Sequence, residues 1–445
     1  MAEILPFRAL RYNPDRVGEL ARVVTQPYDK ITPEMQARYY DRSPYNLARI
    51  IRGRVNPDDT PENSVYTRAA AHFAEWREKG VLAGEREPAL YPYSQEYAVP
   101  GRKGERRERR GFIALLKLED YSAGVVHRHE ETLSGPKADR LELLKATRAH
   151  FGQIFLLYSD PAGEIESALA AGASKKPWEC VTDEYATRHS VWRVAEAGTI
   201  ARVVEAMRAK KLVIADGHHR YETALAYRHL RRAEGAEDAR AEYVMATFVR
   251  KETEGLTILP THRVVRGLEE FEWPRFLEAA RGYFEVESVS VTGKVERWAR
   301  RGAEGLASAG RKRPTLAAYA GAGRLALFGL RDGLDLVHEM PDVAPGLRRL
   351  DVIVLHRLLL ERALGITAEA VREEKNLSYV REFEEAVARV ESGAAQLAFL
   401  MNPTPIEAVW ENALAGRPLP QKSTDFYPKL LSGLTIYWLD NPAGL

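Results

Sequence analysis

"LVIADGHHRYETALAY" (residues 212–227) decides how this chain is read. Leu212 to Ala215 form an apolar run suited to a buried strand, and an alanine-rich helical pattern follows Arg220. Between them stand Asp216, Gly217, His218, His219 and Arg220, more polar groups than a helix start requires. A strand that passes directly into a helix presents the first N–H groups of the helix and the positive end of its macrodipole, a place that binds phosphate. Gly217 allows close approach to the backbone. Arg220 adds a forked, permanently charged donor, and His218 and His219 can donate to phosphate or shuttle a proton near neutral pH. Glu222, four residues after His218 on the same helix face, could orient its ring. Asp216 has two readings: an N-cap, which would occupy the amides that a phosphate uses, or a ligand of magnesium beside the phosphate.

Other chemistries at this junction fall away. Adjacent side chains on a helix diverge by about 100°, so His218 and His219 do not share a zinc ion. No P-loop pattern occurs, and Gly321-Ala322-Gly323-Arg324 lacks the rest of a dinucleotide fingerprint.

Outward from the junction, strands and helices alternate, which predicts an α/β (α+β) chain with a mixed sheet. A helix is expected over 64–79 and a hairpin from strands 89–99 and 111–121. The basic run between them, GRKGERRERR, holds no aromatic residue and is interrupted by acids, so it reads as a solvated tip and not a nucleic-acid grip. A buried strand is expected at 153–160, a helix at 199–210, and strands at 243–249 and 256–265. The apolar segment 351–364 reads as one helix, 396–401 as a strand, and 405–416 as a helix closed by Gly416. Four segments result: an N-terminal α+β region (1–200), a phosphate-binding core (201–267), a smaller inserted or separate subdomain (268–345) and a C-terminal region (346–445) returning to the site.

The chain has 445 residues, 45% apolar and 29% charged, with 65 Lys plus Arg against 63 Asp plus Glu. That is ordinary for a soluble globular protein, and the balance gives no global field for nucleic acid or an anionic membrane. The first residues show no secretory signal, and no apolar stretch reaches the ~20 residues of a membrane span, so a cytoplasmic location is expected. The lone Cys180 excludes an intramolecular disulfide and reads as a buried apolar thiol.

Polar motifs elsewhere supply further candidates. Asp29 follows Pro27 in a turn. His129, Glu130 and Glu131 lie in a loop between strand and helix patterns. His262 and Arg263 end a predicted strand, and Lys422, Ser423 and Thr424 lie in a loop between Pro420 and Pro428. A carboxylate at 130 or 131 could take a proton from a hydroxyl, and the 422–424 amine and hydroxyls could hold an anion.

With V-T-Q-P-Y-D (24–29), H-E-E-T (129–132), P-K-A-D-R-L (136–141), P-T-H-R (260–263) and K-S-T-D-F-Y-P-K (422–429), the I-A-D-G-H-H-R core resembles domain-of-unknown-function family 1015 from end to end. The G-H-H-R core also resembles the phosphate motif of the ParB/sulfiredoxin superfamily, with Gly217, His219 and Arg220 in the matching places. Sulfiredoxins carry a catalytic cysteine where His218 stands, and partition proteins continue with helical DNA-reading domains where strands 243–249 and 256–265 are expected. The free-serine kinases of that superfamily are the remaining likeness, to which Asp216 and His218 also conform.

That resemblance implies a small-molecule kinase moving a phosphoryl group from ATP, ADP or pyrophosphate to free L-serine or a similar hydroxy amino acid, with Mg2+. In it Glu130, Glu131, Asp216, His219 and Arg220 are catalytic. Gly217, His218, His219, Arg220, Lys422, Ser423 and Thr424 hold the donor; Asp29, His129, His262 and Arg263 line the acceptor; and Asp216 holds the metal. Two other classes use the same groups: a nucleotide-binding switch without catalysis, and a phosphoester hydrolase with water as nucleophile.

Overall fold

The structure, a computed structural model, describes residues 1–131, 135–235, 238–291 and 295–442. Thr132 of the H-E-E-T motif lies outside them. The chain forms two compact units: Met1–Arg128, Thr132–Thr257 and Pro428–Leu445 make the first, His129–Glu131 and Ile258–Tyr427 the second.

The first unit is built on a nine-stranded mixed sheet. Its strands run in the spatial order Val126–Arg128, Leu212–Asp216, Ile154–Tyr158, Tyr243–Arg250, Arg106–Lys117, Tyr91–Ala98, Arg188–Val191 and Glu179–Thr182, with Ile4–Leu5 also paired to Arg106–Lys117. Leu212–Asp216 is parallel to Val126–Arg128 and antiparallel to Ile154–Tyr158. Phe112 to Leu116 and Ile154 to Leu157 are almost wholly buried, which is why these strands read as continuous apolar runs. Helix His218–Ala233 packs Tyr221, Ala224 and Leu225 into the same core as Phe112, Leu156 and Phe248. A separate core forms around Tyr12, Tyr39, Phe73, Trp76 and Phe151. The last segment belongs here too: Tyr437 and Trp438 pair with His150 and Ala149, and Ile436 bridges Leu10.

The second unit has a six-stranded sheet in the order Phe284–Ser290, Arg324–Leu330, Thr315–Tyr319, Leu397–Leu400, His262–Val265, Leu377–Val380. Val265, Leu316, Phe328 and Phe399 face one core, and Val264, Ala317, Ala398 and Val387 face another.

The fold is mixed α/β, as the alternation predicts. Its division differs from the four segments read off the sequence. Residues 268–345 are not a body apart, because their strands hydrogen-bond into one sheet with 262–265, 377–380 and 397–400. The 201–267 stretch contributes to both sheets, and sequence order cannot reveal such sharing.

Locally the predicted elements recur with physical adjustments. Helix Val65–Glu78 is capped by Ser64 in a capping box. The expected single strand 256–265 is two, Thr257–Leu259 and His262–Val265, with Pro260, which has no N–H to give a ladder, between them. The apolar segment from Asp351 is α-helical to Val354 and then π-helical over Leu355–Ala363. Two readings are corrected. Cys180 is exposed, with Arg188 Nε 3.3 Å from its sulfur. Arg109, within the basic run read as a solvated tip, is 1% exposed, because the strand continues through the run and turns it inward.

No described helix is long and apolar enough to cross a membrane.

Candidate functional site

In the first unit, strand Leu212–Asp216 leads directly into helix His218–Ala233. Gly217 is the N-cap residue, at φ +90°, and no side chain caps the helix. A β-carbon at Gly217 would stand 3.0–3.1 Å from the Arg220 guanidinium. Glycine is therefore required both for the turn and for the guanidinium that folds across it. Arg220 Nη2 donates to Asp216 Oδ2 at 3.1 Å, and Nη1 donates to the Gln153 carbonyl. Gly152 leaves room for this, since a β-carbon there would lie 3.2 Å from Arg220 Nη1.

Asp216 thus takes neither the role of cap nor that of an isolated metal ligand. Its other oxygen lies 3.5 Å from Lys429 Nζ. Burial alone would raise its pKa, but Lys429, Arg220, Lys30 and His218 outweigh burial and hold the carboxyl well below the usual carboxylate range. With a cation on each oxygen, Asp216 does not fit as a magnesium ligand. No group of three or more His, Cys, Asp or Glu that could hold a metal occurs among the described residues. Glu222 pairs with Lys137 and lies 3.5 Å from the Tyr121 hydroxyl. Asp29 is exposed, beside Lys30.

Lys429 is held in place by buried polar side chains. Gln95 Nε2 donates to the Lys429 carbonyl at 2.9 Å, Arg109 donates to the Pro428 carbonyl, and the Tyr93 hydroxyl accepts from the Leu431 amide. Arg109 Nε donates to Gln95 Oε1 at 3.0 Å, and its guanidinium lies 4.6 Å from the Phe155 ring centroid. Burial lowers the Arg109 pKa to about 10. Behind Tyr93, His189 Nδ1 is 2.6 Å from its hydroxyl, and His189 Nε2 is 3.2 Å from Asp183. Gln26, of the T-Q-P-Y-D motif, donates to Asp183 at 3.0 Å. Tyr93, Gln95, Arg109 and His189 are all at most 3% exposed. Burying four such groups is favourable only when their bonds are made, and three of them bond to the backbone of 428–431.

The other sequence candidates gather in the second unit. Glu130 Oε1 accepts from the Thr424 amide and hydroxyl, both at 2.8 Å, and His129 Nε2 lies 2.7 Å from the same hydroxyl. Glu131 is exposed and its amide donates to the Leu419 carbonyl. Arg263 Nη2 donates to the Lys422 carbonyl at 3.0 Å, and Nη1 to Thr261. Lys422 is exposed and left-handed, at φ +59°. Ser423 Oγ donates to the Pro420 carbonyl at 2.5 Å. His262 is buried, accepts from the Met401 amide at 3.1 Å, and burial lowers its pKa to about 3. It is a neutral core histidine.

The model of one protein family matches residues 4–353. The chain belongs to the family described as protein of unknown function DUF1015. None of the curated proteins compared matches it. Among solved structures it is similar to a conserved hypothetical protein from Pyrococcus furiosus, at 13% identity and TM-score 0.36, over 74% of this chain and 96% of that one. A free serine kinase in complex with AMP shares 14% identity at TM-score 0.35, over 72% and 92%. SbnI with C-terminal truncation from Staphylococcus aureus shares 9% at TM-score 0.35, over 73% and 87%. Likenesses this slight carry no argument about function.

In this DUF1015 chain the residue that sequence reasoning missed is Lys429. The K-S-T-D-F-Y-P-K motif contains two lysines, and the loop chemistry drew attention to Lys422, in the second unit. The signal available was Pro428, which fixes the backbone immediately before Lys429.

Proposed function

We propose that the first unit holds the phosphates of a nucleotide or of pyrophosphate at the amino end of helix His218–Ala233, and that the protein is a small-molecule kinase acting on free L-serine or a similar hydroxy amino acid. The observation that carries this reading is one carboxylate, Asp216, set among Lys429, Arg220, Lys30 and His218 where the strand becomes a helix. A single acid keeps these cations oriented without neutralising them all, and the helix start adds N–H donors and a favourable dipole. Phosphoryl transfer asks a protein mainly for positioning and for fixed positive charge around the moving group. Asp216 then serves to aim Arg220 and Lys429, and magnesium, where required, would come with the donor phosphates.

The test is to incubate the purified protein with Mg2+, L-serine and, in turn, ATP, ADP and pyrophosphate, and to follow phosphoserine by phosphorus NMR. Arg220→Ala should lower turnover on the order of 10²–10³-fold. Donor binding with no turnover by the wild type would leave a nucleotide switch as the function. Absence of any phosphate or nucleotide binding would remove the site itself.

A further inference from the structure

The first unit contains a charged cavity of ≈ 290 Å³ whose lining includes none of Asp216, Arg220 and Lys429. Arg22 and Arg42 supply cationic wall, Asp183 and Glu184 acidic wall, and Ala21 and Val24 apolar surface. Arg22 donates through Nε and Nη2 to the Arg42 carbonyl, which fixes its guanidinium without cancelling the charge. It pairs with no carboxylate among the described residues. The Arg42 guanidinium donates no hydrogen bond to any described residue; it lies 5.2 Å from the Tyr39 ring centroid. Glu184 Oε1 accepts from the Tyr39 hydroxyl, while Oε2 stands 4.0 Å from Arg42 Nη1, beyond hydrogen-bond reach. The two side chains are 36% and 20% exposed, partly withdrawn from water, and they face each other across a gap that neither closes.

Charge and size narrow the class. Asp183 is fully engaged by Gln26, by His189 and by the amides of Tyr185 and Thr187, so it anchors the acidic wall instead of offering an oxygen. Glu184 Oε2 remains as acceptor, and the Arg42 guanidinium remains as donor beside Nη1 of Arg22. Two guanidiniums and two carboxylates balance, so a ligand that carries one charge of each sign adds no net charge. A guanidinium fork matches a carboxylate, and a carboxylate oxygen matches an ammonium group. The volume is about twice the ~150 Å³ that holds benzene, room for up to roughly twelve non-hydrogen atoms and too little for a nucleotide. Ala21 and Val24 leave the rest of the ligand an apolar surface.

We propose that this cavity binds a free α-amino acid with an apolar side chain. Its carboxylate meets Arg42 and Arg22, its ammonium group meets Glu184 Oε2, and its side chain lies against Ala21 and Val24. The ligand class rests on the cavity alone and is independent of phosphoryl transfer at the Asp216 site.

Equilibrium dialysis of the full chain with labelled L-leucine, L-methionine, L-phenylalanine and L-serine tests it, with 4-methylpentanoate as the analogue of leucine that lacks the ammonium group. At least one apolar amino acid should bind saturably and more tightly than L-serine. Arg42→Gln, which removes no hydrogen bond from the fold and should keep the Tm, should weaken that amino acid and 4-methylpentanoate alike, about tenfold, the worth of one charge-assisted bond. Glu184→Gln, which keeps an acceptor for Tyr39, should weaken the amino acid about tenfold and leave 4-methylpentanoate unchanged. Arg220→Ala should bind the amino acid as the wild type does. The site is overturned if no apolar amino acid binds the wild type, if L-serine binds as tightly, if either wall variant binds as the wild type does, or if Arg220→Ala removes the binding and so moves it to the helix start.

Discussion

Asp216 stands among positive charges that an incoming phosphate would also seek, so under the proposed function the protein's own anion would compete with the ligand at this residue. Asp216→Asn should tighten binding of pyrophosphate, measured by titration calorimetry, while lowering stability at neutral pH by about 1–3 kcal/mol as Arg220 and Lys429 lose their partner. The pH dependence follows from the lowered pKa. Above the unfolded value of about 3.9 the carboxylate is ionised in both states and its contribution is complete; as pH falls through the lower folded value, the contribution is lost. Asp216→Asn should therefore show a smaller loss of stability than the wild type on going from pH 5 to pH 2. Lys429→Met should weaken nucleotide binding about tenfold, and unchanged affinity would remove Lys429 from the site. The strand-to-helix junction at Asp216–Arg220 was legible in the sequence, because an apolar run meets a helical pattern there; the pairing of Asp216 with Arg220 was not. Lys429 was not, because nothing in local periodicity tells which of two lysines in one motif faces a carboxylate some 200 residues earlier.

At the scale of single elements, the turn at Gly217 and the strand holding His262 make opposite demands. Gly217→Ala places a side chain at φ +90° and within 3.1 Å of the Arg220 guanidinium. It should cost about 1–3 kcal/mol in denaturant unfolding and should weaken phosphate binding as well, since Arg220 must move. His262 lies on a strand between two others, its Nδ1 used by Met401. Its folded pKa, about 3, is below the unfolded value of about 6.5. Stability is therefore full above about pH 6.5 and falls as pH drops toward 3, because only the unfolded chain takes up the proton. His262→Gln, which can keep an acceptor, should flatten that fall in a pH series of urea melts. Strands and helices were readable here because their apolar spacing is a local property. The burial of Arg109 was hidden in a run of charges, because a strand's inward face is fixed by its neighbours in the sheet.

At the scale of the molecule, each unit has its own sheet and its own apolar cores. Calorimetry should accordingly resolve two transitions, or a calorimetric enthalpy above the van't Hoff value. A nucleotide at 100 times its Kd should stabilise the first unit's transition by about 2.7 kcal/mol and leave the other in place. A single transition moved as a whole by nucleotide would contradict this. The sharing of residues 201–267 between two sheets was not legible, since strand order in space is set by pairings that sequence order does not carry.

The return of Pro428–Leu445 to the first unit has a consequence for synthesis. Lys429 leaves the ribosome roughly 200 residues after Asp216, on the order of 10–40 s later at about 5–20 residues per second. During that interval Gln95, Arg109 and Tyr93 lack the 428–431 backbone to which they bond in the finished protein. A chain interrupted before residue 428 would carry the whole D-G-H-H-R motif and still lack the lysine that faces it. Under the proposed function, the nascent chain completes its anion site only once Lys429 has emerged, and a ribosome stalled with residues 428–445 still inside the exit tunnel should give a chain that holds pyrophosphate more weakly than the released protein.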